Sequence, residues 1–226
     1  MIKELLKEGL SELGLIPAEE QINAFMIYLS ELKRWNKAYN LTGIKKDEDI
    51  VIKHFLDSLL YLKAMPTGEL RVADVGSGAG FPGIPIKIIR PEIHVYLIEP
   101  TGKKCLFLRN IIRQLDLKKI EVIEKRVEEV NVNQELALPV DIVVTRALFD
   151  IKDFVKKASH IVKKEGLLIL NKGPKVKEEI KMLRNVTYDL LEVKLPYSDA
   201  KRYIVSIQLQ KFPSNPVSII SHEPQQ

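Results

Sequence analysis

From Leu70 onward the chain alternates short apolar runs with amphipathic stretches, and no other feature restricts the fold as much. Arg71-Val72-Ala73-Asp74-Val75 reads as a buried strand and Pro82 to Ile89 as a helix. His94 to Glu99 reads as the next strand and Lys103 to Leu115 as the next helix. Ile120 to Ile123 and Val140 to Thr145 are further strands, Asp150 to Val162 a helix, and Gly166 to Asn171 a strand. Alternation of this kind demands right-handed crossovers and a parallel sheet covered on both faces. After a helix near 175–184, two strand candidates come in succession, Leu190 to Leu195 and Tyr203 to Gln210. The turn-like Pro196-Tyr197-Ser198-Asp199 between them predicts a hairpin, so the last pair is expected to be antiparallel.

Upstream, residues 2–63 read as helical. Ile2, Leu5, Leu6, Leu10 and Leu13 share one helical face, Gly14 closes that helix and Pro17 opens the next. Residues 18–38 carry Ile22, Phe25, Met26, Leu29 and Leu32 at helical spacing, and a third helix is expected over 47–64. Met65-Pro66-Thr67-Gly68 breaks the pattern. The expected organisation is a helical extension at 1–66 packed on an α/β core at 67–211, with a flexible, proline-containing tail at 212–226.

At 226 residues, 46% hydrophobic and 29% charged, the chain has the composition of a soluble globular protein, and its apolar runs are too short to span a bilayer. The N-terminal segment mixes acids with lysines at helical spacing, unlike a signal peptide. The single cysteine, Cys105, rules out an internal disulfide and a cysteine-based metal site; within Cys105-Leu106-Phe107-Leu108 it reads as a buried, inert thiol. The four histidines are scattered, so no metal site is expected. These features point to a cytoplasmic protein, and nothing in them demands more than a monomer. The net charge of +5 is compatible with a nucleic-acid partner without requiring one.

The strongest local signal is Asp74-Val75-Gly76-Ser77-Gly78-Ala79-Gly80-Phe81-Pro82-Gly83, between a strand and a helix. Ligands of open α/β sheets bind outside the carboxyl ends of the strands, which is where this loop falls. Its glycines permit positive φ and close backbone approach, and N–H groups at the helix start are expected to hold a carboxylate or phosphate. Such a loop alone serves NAD, FAD or S-adenosylmethionine equally. Asp74 would repel a pyrophosphate but would suit a cationic amino acid, and Pro82 removes an N–H that a pyrophosphate would use. Both favour the amino-acid end of S-adenosylmethionine.

Glu99, at the end of the second strand, is placed to accept ribose hydroxyls. Val127 and Glu128 follow the third strand, where an apolar cover and an acceptor for an adenine would lie. Arg146 ends an otherwise apolar strand, where an unpaired charge would be costly, and is read as functional. Trp35 is read as packing the N-terminal helices, Asn40 as a helix cap, and His54 as a hydrogen-bonded core histidine that could pair with Asp57.

Several strings occur together in one order: Trp35 to Ile44 (WNKAYNLTGI), HFLDSL, DVGSGAGFPGIP, LIEPTGKKCLFL, RVEE and VVTRAL. From about residue 20 to about residue 210 the chain resembles the bacterial small-subunit rRNA guanine-N7 methyltransferase G family, also called glucose-inhibited division protein B. The resemblance implies a class I methyltransferase fold, a Rossmann-like seven-stranded sheet with an antiparallel last strand, plus extra N-terminal helices. It implies S-adenosylmethionine as donor, S-adenosylhomocysteine as product, and N7 of a guanine in 16S rRNA, or the small ribosomal subunit, as the target. Carried over by position, it sets Gly76, Gly78 and Phe81 along the cofactor, with Asp74 nearby. Glu99, Pro100 and Thr101 would meet its ribose and adenosine part, Val127 and Glu128 the adenine. Arg146 would stand at the active-site end of the fourth strand, both as the catalytic residue and as a further cofactor contact. Lys103, Lys104, Arg109, Arg126, Lys172 and Arg202, near the same sheet edge, are the candidate RNA contacts. One departure is the tail: Phe212 to Gln226 contains no lysine or arginine, where many members of the family are basic. Three other readings stay open: a methyltransferase with another substrate, a nucleotide-binding module without methyl transfer, and an RNA-binding protein that keeps only the fold.

Overall fold

The computed structural model describes residues 1–146, 150–181 and 186–208. The expected tail at 212–226 therefore lies outside the described residues. The helices α1 (Ile2–Glu12) and α2 (Glu19–Tyr39) lead into a composite helical run. That run comprises α3 (Asp47–Ile50), a π-helical segment (Val51–Leu56), the single turn α4 (Asp57–Leu59) and a 3₁₀ turn (Leu60–Lys63). The alternating part follows as β1 (Arg71–Val75), α5 (Gly83–Ile89), β2 (His94–Ile98), α6 (Gly102–Gln114), β3 (Ile120–Ile123) and β4 (Val140–Arg146). After α7 (Ile151–Ala158) come β5 (Val162–Lys172), α8 (Val176–Lys181), β6 (Thr187–Lys194) and β7 (Lys201–Gln208).

The seven strands form one sheet in the order β3-β2-β1-β4-β5-β7-β6. The pairs from β3 to β5 are parallel, and β7 runs antiparallel to both β5 and β6. The order reverses at β1, so the crevice between the C-terminal ends of β1 and β4 is the site of ligands in such sheets. Period-two alternation sends Val72, Ile142, Val144, Ile169 and Ile204 to one face, where they share a core with Leu6, Phe25, Leu32, Phe55 and Tyr61 of the N-terminal helices. Ala73, Val75, Val143, Leu168 and Leu170 face the other way, against α7 and α8.

Strands β5 and β6 begin earlier than expected, at Val162 and Thr187, and two helical elements differ from the sequence expectation. The helix expected over 47–64 is not uniform, because Asp57 N–H bonds back to the Ile52 and His54 carbonyls. A π-bulge of this kind re-aims side chains within a helix. The helix expected over Asp150–Val162 stops at Ala158, although Ile161 and Val162 continue its apolar spacing. Sheet pairing wins there: Val140 N–H donates to the Ile161 carbonyl at 2.9 Å, and Val162 pairs with Val140. The strand then bulges before Gly166, whose missing Cβ would stand 2.7 Å from the Asp141 carbonyl.

Tyr61 ties the helical layer to the sheet. Its buried hydroxyl donates to the Thr145 carbonyl and accepts from Asn171 N–H at 3.2 Å. Removing it strands two buried backbone groups, each worth about 1–3 kcal/mol. Tyr61→Phe is therefore expected to lower stability by roughly 2 kcal/mol or more in urea denaturation; an unchanged midpoint would show that the sheet ends hold without it.

Candidate active site

The glycine loop turns sharply after β1. Gly76, Gly78 and Gly80 have φ of 71°, 60° and 97°, the left-handed region that glycine enters without steric cost. The N–H groups of Gly76 and Ser77 donate to the Ile98 carbonyl at 2.8 and 3.2 Å, pinning the loop to the end of β2. Gly78 N–H donates to Glu99 Oε2 at 2.9 Å, and Gly80 and Phe81 N–H donate to the Ser77 carbonyl. Gly83 N–H, at the start of α5, donates to Asp74 Oδ2 at 2.8 Å. This corrects the expectation that the helix start would offer that N–H to a ligand: the carboxylate from β1 already caps it.

Asp74 is fully buried, and its Oδ1 has no hydrogen-bond partner among the described residues. Desolvation pushes its carboxyl up to about 7, against the opposing pull of Gly83 N–H and Arg146. Glu99 is 3% exposed, and its Oε1 accepts from Thr101 N–H at 3.0 Å. Each Glu99 oxygen thus takes one backbone N–H and keeps a second acceptor direction. With the N–H groups of Gly76, Ser77, Gly78, Gly80, Phe81 and Gly83 engaged inside the protein and two acids beneath it, this loop is electronegative. That suits an ammonium or sulfonium and opposes a pyrophosphate.

Beside the loop lies a cleft of about 320 Å³. Gly76, Glu99, Pro100, Thr101, Val127 and Glu128 line it, over an apolar floor that includes Val75 and Ile98. Lys104 and Arg126, read from the sequence as RNA contacts, line this cleft too, and Lys104 Nζ stands 3.7 Å from Glu99 Oε1. Val127 is buried, while Glu128 stands at the rim in an ion pair with Lys157. The Lys157 ammonium holds the Glu128 carboxyl below its ordinary range. A wall that includes Gly76, an acid with open acceptor directions and an apolar floor fit an adenosine bearing a cationic amino acid.

Phe81 and Arg146 sit on the other side of the loop. The Phe81 side chain is 4% exposed and stacks on His54 with ring centroids 4.4 Å apart and on Tyr28 at 5.3 Å. Arg146 lies over the same ring at 5.0 Å. Its Nη1 donates to the Lys53 carbonyl at 3.1 Å and its Nη2 to His54 Nδ1 at 3.0 Å. Because guanidinium only donates, His54 Nδ1 must accept, and the ring proton sits on Nε2, which donates to Thr42 Oγ1 at 2.8 Å. Burial, with help from the Arg146 charge, depresses His54 to about 3, so it stays neutral. The expected His54–Asp57 pair is replaced: both residues face Arg146, whose Nη1 is 3.6 Å from Asp57 Oδ2.

The remaining basic candidates are spread around the sheet edge. Arg202 Nε donates to Asp57 Oδ1 at 2.8 Å, Lys172 pairs with Glu179 at 3.0 Å, and Arg109 pairs with the exposed Glu124 at 3.0 Å. Lys103 is exposed. Trp35 packs α2 against α6 through Phe107, ring centroids 5.7 Å apart, and Asn40 is the left-handed C-cap of α2. Cys105 is fully buried, and burial raises its thiol to about 11. The residue that sequence reasoning undervalued is Asp57, which draws Arg146 and Arg202 together. Its signal was a carboxylate on the otherwise apolar face of HFLDSL.

The Asp74 shift has a pH consequence. Between its ordinary 3.8 and about 7, the folded protein holds a proton that the unfolded chain releases, so this group lowers stability as pH rises through that window. Asp74→Asn cannot ionise and still accepts from Gly83 N–H. Its stability advantage over wild type is expected to grow by roughly 2 kcal/mol between pH 5.5 and 8.5, at about 1.4 kcal/mol per pKa unit. Urea denaturation at both pH values tests this, and an advantage that does not change with pH would show that the buried charge is not the cause.

The family model for rRNA small subunit methyltransferase G matches residues 21–202. Ribosomal RNA small subunit methyltransferase G of Acetivibrio thermocellus is 38% identical over 221 residues, covering 95% of this chain and 90% of that protein. The protein of the same name from Chromobacterium violaceum is 37% identical, covering 91% of this chain and 97% of its own length. Among solved structures, a SAM-dependent methyltransferase from Aquifex aeolicus aligns with a TM-score of 0.53 at 18% identity, over 80% of this chain and 98% of that one. M. jannaschii TYW2 in complex with AdoMet aligns at 0.52 and 17% identity, over 69% and 77%. These likenesses identify the fold as that of the class I methyltransferases. With the family model covering most of its length and relatives this similar over nearly all of it, the chain belongs to the rRNA small subunit methyltransferase G family.

Proposed function

We propose that this protein transfers the methyl group of S-adenosylmethionine to N7 of a guanine in 16S rRNA of the small ribosomal subunit. The carrying observation is the electronegative glycine loop beside an adenosine-sized cleft, at the switch point of the sheet, in a chain of this family. When bound, the cofactor supplies an electrophilic methyl on a sulfonium. The open acceptor directions of Glu99 would receive the ribose hydroxyls, with Pro100 and Thr101 beside them. Val127 would cover the adenine, Glu128 would offer it an acceptor, and Asp74 would offset the positive charge of the amino-acid end. Gly76 and Gly78 let the backbone approach.

Guanine N7 carries a lone pair, so no proton has to leave before methyl transfer and no strong base is needed. The site fits that requirement. His54 is neutral, with Nδ1 taken by Arg146 and Nε2 by Thr42, and is not available as a base. Catalysis then rests on alignment and on excluding water. Arg146, held between His54, the Lys53 carbonyl and Phe81, builds the wall beside the reacting methyl. As methyl transfer makes the purine cationic, the buried acids favour the developing charge. Lys103 and Arg109 are assigned to rRNA phosphates. Lys104 and Arg126 serve the mouth of the cofactor cleft, while Lys172 and Arg202 support the sheet edge. The protein is read as a cytoplasmic monomer acting on a ribosomal substrate. No described helix is long and apolar enough to cross a membrane.

Small-subunit particles from cells lacking this methyltransferase, incubated with the protein and donor and mapped by mass spectrometry, are expected to gain one N7-methylguanine. Unmodified particles, with donor binding intact, would overturn the substrate; tight NAD binding by calorimetry would overturn the cofactor. A Cβ at Gly78 meets only the Gly76 carbonyl, at 3.9 Å, and otherwise open space, so Gly78→Ala should fold with a backbone cost of about 1–2 kcal/mol. It is expected to weaken donor binding at least tenfold, and unchanged affinity would remove the loop from the site.

A further inference from the structure

A second and larger cleft, of about 640 Å³, lies between the C-terminal half of α2 and the segment 40–46. Ile44 and the buried Leu32 and Ile50 give it an apolar floor, and Lys33, Lys37 and Lys45 line it without any carboxylate in the lining. Lys33 is paired with Asp47 at 2.6 Å, whereas Lys37 and Lys45 are exposed. The wall is held in place before any ligand arrives. Asn36 Oδ1 accepts from Thr42 N–H and Asn36 Nδ2 donates to the Thr42 carbonyl, both at 2.9 Å. Ile44 N–H donates to Thr42 Oγ1 at 3.1 Å.

The cleft is linked to the proposed catalytic edge. Thr42 Oγ1 takes the His54 Nε2 proton, and His54 Nδ1 takes an Arg146 proton. Two hydrogen bonds therefore separate its wall from the guanidinium beside the glycine loop. An apolar floor with unneutralised lysines at its rim matches a nucleotide, whose base is flat and apolar on its faces and whose phosphates are anionic. A free inorganic anion would make no use of the floor, and a lipid headgroup would leave the link to Arg146 without purpose.

We propose that this cleft holds a nucleotide of the rRNA strand next to the methylated guanine, its base over Ile44 and its phosphates on Lys37 and Lys45. The proposal rests on the rRNA substrate argued above. By gripping the neighbouring nucleotide, the cleft fixes where along the strand the target base presents itself to Arg146.

The test exploits Cys105, which is fully buried with its thiol raised to about 11, so that an added surface thiol reacts alone. A Cβ at Gly43 meets nothing within 4 Å, so Gly43→Cys should fold and can be blocked with a bulky maleimide. Lys194→Cys, exposed on the edge strand β6, is the control. Blocked Gly43→Cys and the double variant Lys37→Glu/Lys45→Glu are both expected to raise KM for small-subunit particles about tenfold or more. Donor affinity by calorimetry and kcat at saturating particles should stay at wild-type values. The double variant should also reduce the salt dependence of particle binding by about two counterions. Blocked Lys194→Cys should behave as wild type. Wild-type KM and salt slope in both cleft variants, on particles that wild-type protein methylates, would overturn the cleft alone; wild-type protein that neither binds nor methylates the particles would overturn the substrate and the cleft together.

Discussion

The guanidinium of Arg146 is the joint on which this architecture turns. It ends a largely apolar strand, at a point where a lone charge next to the core would be strongly destabilising. The chain resolves this from the opposite layer. Within the π-helical segment Asp57 N–H reaches Ile52 and His54 rather than Lys53, and the Lys53 carbonyl receives Arg146 instead. Hydrogen bonds with a charged partner contribute about 1.5–3 kcal/mol each. Arg146 makes one to that carbonyl and one to His54, with the Phe81 ring beneath it and Asp57 close by. One cation thereby sets the tautomer of a histidine and touches both the loop residue Phe81 and the N-terminal helical layer.

The same economy governs the cofactor side. Asp74 and Glu99 use their first acceptor directions on the protein, one to start α5 and one to hold Gly78. What remains at the loop is acceptor character without free donors from those residues. The sign of the ligand charge follows: a cationic amino acid with donor hydroxyls is welcomed, and a pyrophosphate would meet two acids. The ligand preference of this loop is therefore fixed less by the glycines, which many cofactors share, than by which of their N–H groups are already engaged.

Much of this was legible in the sequence, for identifiable reasons. β1 and β3 fall where the apolar residues predict; β1 in particular declares itself as a short, mostly apolar buried run ahead of its glycine loop. The antiparallel closing pair was announced by its turn. The glycine loop, Glu99 and Val127 could be placed because they follow strand ends, and strand ends in this fold converge on one edge. Other features depend on partners far along the chain. Asp57 and Arg202 are 145 residues apart, and Tyr61 reaches Thr145 across 84, so no local pattern could pair them. The π-bulge leaves the Lys53 carbonyl to a distant arginine, and α7 ends where sheet pairing outbids continued helical spacing. The capping of α5 by Asp74 was hidden for a different reason: a carboxylate before a glycine loop reads as a ligand contact until its neighbour's N–H is seen to need it.

The N-terminal helices are not an accessory to the sheet. Residues of α1, α2 and the π-helical segment share one continuous core with the inner face of β1, β4, β5 and β7. Tyr28 donates to the Ala79 carbonyl of the glycine loop itself, and Gln21 bonds the carbonyls of Ile88 and Ile89 at the end of α5. A surface carried by these helices is therefore rigidly registered to the catalytic edge. For a reaction that needs no base and depends on alignment within a fraction of an ångström, rigid registration does the work a proton-transfer dyad does elsewhere. If the cleft on α2 takes the rRNA strand as proposed, the helical layer joins that cleft and the glycine loop into one body, and through it a common fold would acquire a particular target.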